Sequence, residues 1–486
     1  MDAPRLSERT LHAARAGVAV PDYARETVRV GVVHFGPGAF HRAHQAFYFD
    51  RLLRADRRWG ICAVSLRSTG VRDALAPQDG LYALAELGEE SRVSIIGALR
   101  EVRVAPAEAQ AIFARLESPQ TRLVTITVTE KGYGLDSRAR LDANRPEIAH
   151  DLGSPRAPHS LIGWLAEALR RRRDRGLAPF VVVSCDNLPD NGPTLRNAVV
   201  EFAQRFDRDL AAWIRGEVAF PRTMVDSITP ASDASLRRRI EQATGLQDAW
   251  PVQREAFTQW VVERSAQLPE ADWEAAGLTL AADVDRYERA KLRLVNGAHS
   301  TLAYIGLLRG RATVNETMAD APLARFVERL MREDVAPSLA RSESAATVRY
   351  IDAILRRFRN PELRHLLSQI AWDGSKKLPL RLLPTVQEAM TAGRPILRLA
   401  VPLAAWMRFV VRQAKGGVPI VDPDADRLEQ VGRACTGEAR LDVAHFLRLE
   451  QVFPQTLTAS ERFVAAVVSA YESLRHPARV FESGAV

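Results

Sequence analysis

Residues Thr27 to Leu53, TVRVGVVHFGPGAFHRAHQAFYFDRLL, constrain the fold more than any other stretch of the chain. Val28 to Phe35 is an apolar, β-branched run, which predicts a buried strand. Gly36-Pro37-Gly38 forms a turn, and helical patterning begins at Ala39. A strand, a Gly-x-Gly turn and a helix make the arrangement that holds a dinucleotide. The glycines let the backbone approach a pyrophosphate, and the first helical amides stabilise its charge. Gly36, Gly38, Ala39 and Phe40 are the candidate loop residues. Two departures from the usual fingerprint matter. His41 stands where a third glycine is expected. After the second predicted strand, Trp59 to Leu66, the expected acid is missing and Arg67-Ser68-Thr69-Gly70 follows instead. Arg67 leaves NADP open beside NAD.

Further strands are predicted at Val93–Ile96, Leu123–Thr129 and Phe180–Cys185, with helices at Pro106–Leu116 and His159–Arg173 between them. Such alternation predicts an α/β fold with a parallel sheet covered on both faces. The strand VVVSCD ends in Asp186-Asn187-Leu188-Pro189, placing Asn187 at a carboxyl end, where ligands of open α/β sheets bind. Asn187 also suits a plain turn. FPRTMVDSITPA reads as a strand carrying Asp226. From about residue 311 the chain is mostly helical, interrupted by Trp372-Asp373-Gly374-Ser375-Lys376-Lys377-Leu378-Pro379. This basic stretch reads as a loop, either an anion site or a solvated turn.

Tyr287 to Gly310 reads as a buried helix with polar residues it does not need for burial. At about 100° per residue, Glu288, Lys291, Asn296 and His299 fall within roughly half of its circumference. A lysine in a poorly hydrated cleft exchanges protons near neutrality. An asparagine can donate to an oxygen that becomes negative, and a histidine can orient a hydroxyl. A solvated helix face would also carry such residues, and Asn296-Gly297 is a hairpin signal.

At 486 residues the chain is too long for one ordinary domain. Its 47% hydrophobic and 26% charged content is that of a globular protein, and no apolar run reaches membrane-span length. The first residues lack an apolar signal core, which predicts a cytoplasmic location. The net charge of +8 comes from arginines scattered among nearly as many acids, with no nucleic-acid motif. The densest run, Arg170–Arg173, reads as a solvated helix end. Three widely separated cysteines argue against a zinc site, and no metal is expected.

The motifs HFGPGAFHRAHQA, TVTEKGY, SCDNLPDNG, FPRTMVDSITP, KLRLVNGAHS and DGSKKLP, in this order, resemble the polyol-specific long-chain dehydrogenases, the family of mannitol 2-dehydrogenase and fructuronate reductase. The resemblance runs from about Val28 to the last helices. It implies a Rossmann-type NAD-binding domain, placed here at residues 1–285, and a helical catalytic domain at 286–486, with the active site in the cleft between them. It also implies metal-independent hydride transfer with Lys291 as acid/base. Asn187 and Asn296 would hold the reacting oxygen, His299 would lie beside the substrate, and Glu288 would link the lysine to solvent. Asp226 and Lys377 match substrate contacts, while Glu130 and Arg67 join the cofactor set. Gln369 replaces an arginine usual in mannitol dehydrogenases, and Ser227 and Ala256 replace a usual arginine and proline. Gln369 with DGSKKLP favours the sugar-acid branch, which interconverts D-fructuronate and D-mannonate. A neutral polyol or ketose is the alternative. The implied partners are a small sugar acid or polyol, with no nucleic acid and no membrane, and a monomer or weak oligomer.

Overall fold

Val30–Phe35 forms strand β1 and is buried at every position, as a strand covered on both faces must be. The computed structural model describes residues 3–88, 90–136, 138–339, 344–476 and 481. After β1 come β2 (Gly60–Ser65), β3 (Tyr82–Leu87), β4 (Arg92–Ile96), β5 (Leu99–Val104), β6 (Leu123–Ile126) and β7 (Val181–Ser184). β8 (Thr223–Asp226), β9 (Val252–Glu255), β10 (Gln259–Glu263) and β11 (Thr279–Ala281) complete the set. A parallel sheet runs in the order β5-β2-β1-β6-β7. The winding goes outward from β1 to one side, then resumes on the other side at β6. Ligands of open α/β sheets bind outside the strand ends at such a reversal.

Alternate strand residues feed two apolar layers. Val33, Phe35, Cys62, Val64 and Ile126 pack with Trp164 on one face. Val32, Ile61, Ala63 and Leu123 pack with Phe49 and Trp59 on the other. Two three-stranded sheets accompany the main one, β11-β10-β8 and β4-β3-β9.

The chain divides into two compact units, Met1–Asp285 and Arg286–Val486. The second is helical. Its central helix, Gly297–Leu308, is buried from Gly297 through Gly306 and packs against the 20-residue helix Leu397–Gly416. That longer helix also carries Ala425–Ala434 and Glu461–Ser473. A helix enclosed all round is a core helix. Among the described residues no helix is long and apolar enough to cross a membrane. The three cysteines are free and buried, and burial pushes their thiols up, that of Cys435 to about 12.

Several elements differ from the sequence expectations. Val93–Ile96 belongs to β4, antiparallel to β3 in a separate sheet. The third strand of the parallel sheet is β5, whose charged residues mask its pattern. Glu101 there pairs with Arg103 and Arg115, as a half-exposed edge strand allows. The helix expected from Pro106 begins at Ala109, because the Glu108 carboxylate accepts the Val104 amide at 2.8 Å and closes a turn first. Trp372–Pro379 is not a loop. Asp373 adopts φ +56° and starts the helix Gly374–Arg381, which contains Pro379. Gly374 is there for packing, since a Cβ would meet Trp406 Nε1 at 2.4 Å and the Tyr304 hydroxyl at 2.7 Å. Asn296-Gly297 is likewise helical, with Gly297 at φ −64°.

The arginine run is also more than a solvated end. Arg170 and Arg171 pair with Glu167. Arg172 is buried and donates to the carbonyls of Leu116 (2.8 Å), Ser118 (2.9 Å) and Ala178 (2.7 Å). It ties the end of helix Leu161–Asp174 to two neighbouring turns. Replacing Arg172 with Met would strand these acceptors at roughly 1–3 kcal/mol per unsatisfied group. Arg172→Met is therefore expected to lower stability by at least about 2 kcal/mol. Urea unfolding checks this, and an unchanged midpoint would show that water replaces the guanidinium.

Candidate active site

At the sheet's reversal, β1 passes into Gly36 at φ +90°. A Cβ at Gly36 would lie 2.1 Å from the Thr127 carbonyl oxygen, so only glycine fits. The Gly36 carbonyl accepts from Thr127 Oγ1 at 2.7 Å and from His34 Nε2 at 3.2 Å. With its own proton on that carbonyl, Thr127 Oγ1 accepts from His34 Nε2 at 2.9 Å, so the ring's proton sits on Nε2 and the Thr125 hydroxyl at 2.8 Å donates to Nδ1. Gly38 is different, since nothing lies closer than 3.9 Å to a Cβ placed there. A closed inner face at Gly36 and an open outer face at Gly38 fit a pyrophosphate laid against backbone. Ala39 and Phe40 open the short helix Ala39–Ala43 behind this turn.

His41 fills the third-glycine position by stacking on His34, with centroids 3.3 Å apart and planes at 14°. Both rings are fully buried, and among the described residues neither His41 nitrogen has a hydrogen-bond partner. Burial lowers the pKa of His34 to about 3 and that of His41 well below its ordinary value.

The opposite side of the reversal is fixed by Asp186, which the sequence reading passed over in favour of its neighbour. Its carboxylate accepts the amides of Val128 (2.9 Å) and Thr129 (3.0 Å) and the Tyr133 hydroxyl (2.8 Å). Burial raises its pKa, against these hydrogen bonds. The bonds hold Thr129 at φ +66°, a conformation its side chain disfavours. Glu130, exposed, follows at the start of the turn Glu130–Tyr133. Asn187 is exposed just beyond Asp186, and Arg67 is exposed just beyond β2. Asp226 is buried as the last residue of β8, opposite Gln259.

In the second unit, Glu288 lies on helix Asp285–Ala290, and Lys291–Asn296 is a π turn leading into the central helix. The Gly297 amide reaches back five residues to the Leu292 carbonyl. In a regular α-helix Lys291 and Asn296 would point about 140° apart. Under i→i+5 bonding, residues five apart return to nearly the same side. The expected arc is therefore tighter than sequence periodicity implies. Gly297 permits a close approach, since a Cβ would sit 3.3 Å from the Arg381 carbonyl oxygen. Arg381 Nη1 donates to Ser300 Oγ at 3.1 Å and to the Asn296 carbonyl at 3.4 Å.

His299 is buried against Phe358 at 4.6 Å and His365 at 4.9 Å between centroids. Its Nε2 has no partner among the described residues. Burial, then His365, Arg357, Arg381 and Lys291, drive its pKa well down, so the ring stays neutral. His365 is lowered to about 4 by burial and Arg357. Sequence reading missed His365, Arg357 and Arg381, which are far along the chain and ordinary in local pattern. Lys377, on helix Gly374–Arg381, donates to the Ile370 carbonyl at 3.2 Å. Gln369 is exposed on helix Leu367–Ile370. Lys376 is exposed and paired with Asp424 at 3.1 Å.

A Rossmann-type sheet with a glycine turn at its reversal, followed by a helical unit carrying lysine, asparagine and histidine on one helix, defines a dinucleotide-dependent oxidoreductase. Family comparison agrees: residues 30–275 match the mannitol dehydrogenase Rossmann domain, and residues 283–475 match the mannitol dehydrogenase C-terminal domain. The chain belongs to the mannitol dehydrogenase family. It is 40% identical to D-mannonate oxidoreductase of Escherichia coli over 466 residues, covering 94% of this chain and 96% of that protein. It is similar to the structure of Pseudomonas fluorescens mannitol 2-dehydrogenase in ternary complex with NAD and D-mannitol. That match has TM-score 0.84 and 36% identity, and covers 99% of each chain. A D-sorbitol dehydrogenase structure matches at TM-score 0.90 and 31% identity, covering 98% of this chain and 99% of that one.

The buried histidine pair predicts an acid-sensitive first unit. An unfolded imidazole binds a proton near pH 6.5, whereas folded His34 binds one only near pH 3. The stability it contributes is thus present above pH 6.5 and is lost as pH falls toward 3. Each such ring costs about 1.4 kcal/mol per pH unit across that window. His34→Asn should flatten the dependence of urea-derived stability on pH by about one proton. An unchanged slope would assign the acid sensitivity to other groups.

Proposed function

We propose that this protein interconverts a keto-sugar acid and its hydroxy acid, D-fructuronate and D-mannonate, using NAD(H). The observation that carries the reading is the π turn, which turns Lys291 and Asn296 to one side of a helix immediately before His299. Gly36, Gly38, Ala39 and Phe40, with Glu130 and Arg67 of the same unit, would hold NAD(H), which when bound would supply or accept the hydride.

During reduction, negative charge develops on the substrate's carbonyl oxygen. Asn296 and Asn187 donate hydrogen bonds to that oxygen, a preorganised stabilisation that grows as the charge forms. Lys291 delivers the proton, and in the reverse direction its neutral amine removes it. Glu288, about one turn earlier, passes the proton between Lys291 and solvent. Neutral His299 orients a substrate hydroxyl through Nε2. Asp226, Lys377 and Gln369 hold the remaining hydroxyls and the carboxylate.

The acid is favoured over a neutral ketose on three grounds. Lys291, Arg357 and Arg381 all act on His299, giving its surroundings a cationic field. Gln369 stands where mannitol dehydrogenases carry arginine, and the E. coli relative is named for D-mannonate. The likeness to the enzyme solved with D-mannitol favours the competing polyol reading.

Lys291→Ala should cut turnover by about 10²- to 10⁴-fold while NADH fluorescence binding persists. Wild-type turnover at any pH would remove Lys291 from the reaction. For the substrate, Lys377→Met should raise the KM for fructuronate by roughly 10- to 150-fold, the worth of one charge-assisted hydrogen bond, and far less for fructose. Equal losses on both, or faster reduction of fructose than of fructuronate by the wild type, would replace the sugar-acid reading with a polyol dehydrogenase.

A further inference from the structure

Helix Leu397–Gly416 carries Arg408, Arg412 and Lys415 at i, i+4 and i+7, so the three cations share one face. Arg475 joins them from just beyond helix Glu461–Ser473, which packs along the same helix. These four line an open cleft of about 260 Å³ whose walls include Tyr471 and Leu308, and no acid among the described residues lines it. We infer that this cleft binds a phosphate dianion, free or carried on a small organic ester. It lies wholly within the second unit, away from the side chains around His299. Leu308 follows His299 on the central helix by about 13 Å of axial rise.

Cations at helix C-termini are ordinary, and two of the four are explained that way. Arg412 donates to the Leu307 carbonyl at 2.8 Å, at the end of the central helix. Arg475 donates to the Gly437 carbonyl at 2.8 Å and pairs with Glu472 at 3.1 Å. That leaves Arg408 and Lys415. Lys415 is exposed and forms no ion pair among the described residues. Arg408 Nε donates to the Tyr471 carbonyl at 2.7 Å, and the guanidinium lies 4.1 Å from the centre of the Tyr471 ring. Its Nη2 is buried with no hydrogen-bond partner among the described residues. A buried donor left unbonded is costly, so this nitrogen marks a place for an acceptor from outside the chain. Burial lowers the Arg408 pKa and Arg475 adds to that effect, against Glu472 and Asp442. Neither acid can serve as the acceptor. Glu472 holds Arg475, and buried Asp442 accepts the Thr436 amide at 2.7 Å, the Gly437 amide at 3.0 Å and the Tyr471 hydroxyl at 3.0 Å. One carboxylate would leave the cleft strongly positive. A phosphate dianion balances more of the charge and offers three oxygens to donors on separate elements. The ring of Tyr471 and the side chain of Leu308 suit a short carbon body beside it.

Titration calorimetry on the full chain, at constant ionic strength and with saturating NADH to occupy the first unit, would compare inorganic phosphate, glycerol 3-phosphate and acetate. Both phosphates are expected to bind saturably at one site, and acetate at least about tenfold more weakly, the lower worth of a charge-assisted contact. Tighter binding of glycerol 3-phosphate would identify an ester as the ligand, and equal binding would identify free phosphate. Arg408→Met should weaken phosphate by about tenfold or more, with NADH fluorescence binding unchanged. Lys415→Glu, at an exposed position, should weaken it by a similar factor because repulsion replaces attraction. That second variant decides the matter if Arg408→Met does not fold. Phosphate binding that survives Lys415→Glu would overturn the site, as would no binding at millimolar phosphate. Acetate binding as tightly as phosphate would reduce the effect to general charge attraction and overturn it too.

Discussion

One extra residue in a helical turn sets which side of the second unit's central helix Lys291 and Asn296 face. The i→i+5 bond from Gly297 to Leu292 brings residues five apart into line, where a plain α-helix would splay them. Such a turn has poorer internal hydrogen bonding, so its neighbours must hold it. Arg293, within the turn, clamps Glu388 through two bonds of 2.7 Å and reaches the Ser338 carbonyl at 3.0 Å. Arg381 adds donors to Asn296 and Ser300 from the far side. The absence of a side chain at Gly297 is what lets Arg381's helix come close enough. A local irregularity in one helix is thus secured by two others.

The two units hold their functional groups by contrasting electrostatic means. Around the glycine turn of the first unit, the pinning groups His34 and His41 are kept neutral by burial. The Asp186 carboxylate is surrounded by donors, so little bare charge faces the turn. A dinucleotide's own phosphates then meet backbone amides without competition. Around His299 the field comes instead from cations on separate elements, Arg357 on one helix and Arg381 on another. One arrangement suits a ligand that brings its charge to a fixed cradle. The other suits chemistry in which negative charge appears during the reaction.

Legibility in the sequence followed how local each signal was. The strand, glycine turn and helix from Val30 onward could be read because β-branched residues and glycines carry their preference within a few positions. The polar residues Lys291, Asn296 and His299 stand out in the sequence for the same reason, although the π turn from Lys291 to Asn296 does not. β5 was lost because its alternating charges are satisfied by Arg115 and Glu108, partners outside the strand. DGSKKLP was misread because glycine and proline usually signal loops, while here Gly374 makes room for Trp406. Arg357, His365 and Arg381 carry no local signature. Only tertiary packing gathers them around His299.

The histidine pair beneath the glycine turn has a consequence for how this sequence can vary. A glycine at position 41 would ordinarily set the spacing between helix and strand, whereas here two flat rings 3.3 Å apart fill the gap. Shrinking one ring would leave the other facing a void, and enlarging one would push the helix off the sheet. Positions 34 and 41 therefore act as a single spacer, and in lineages descended from this chain they are free to drift only together.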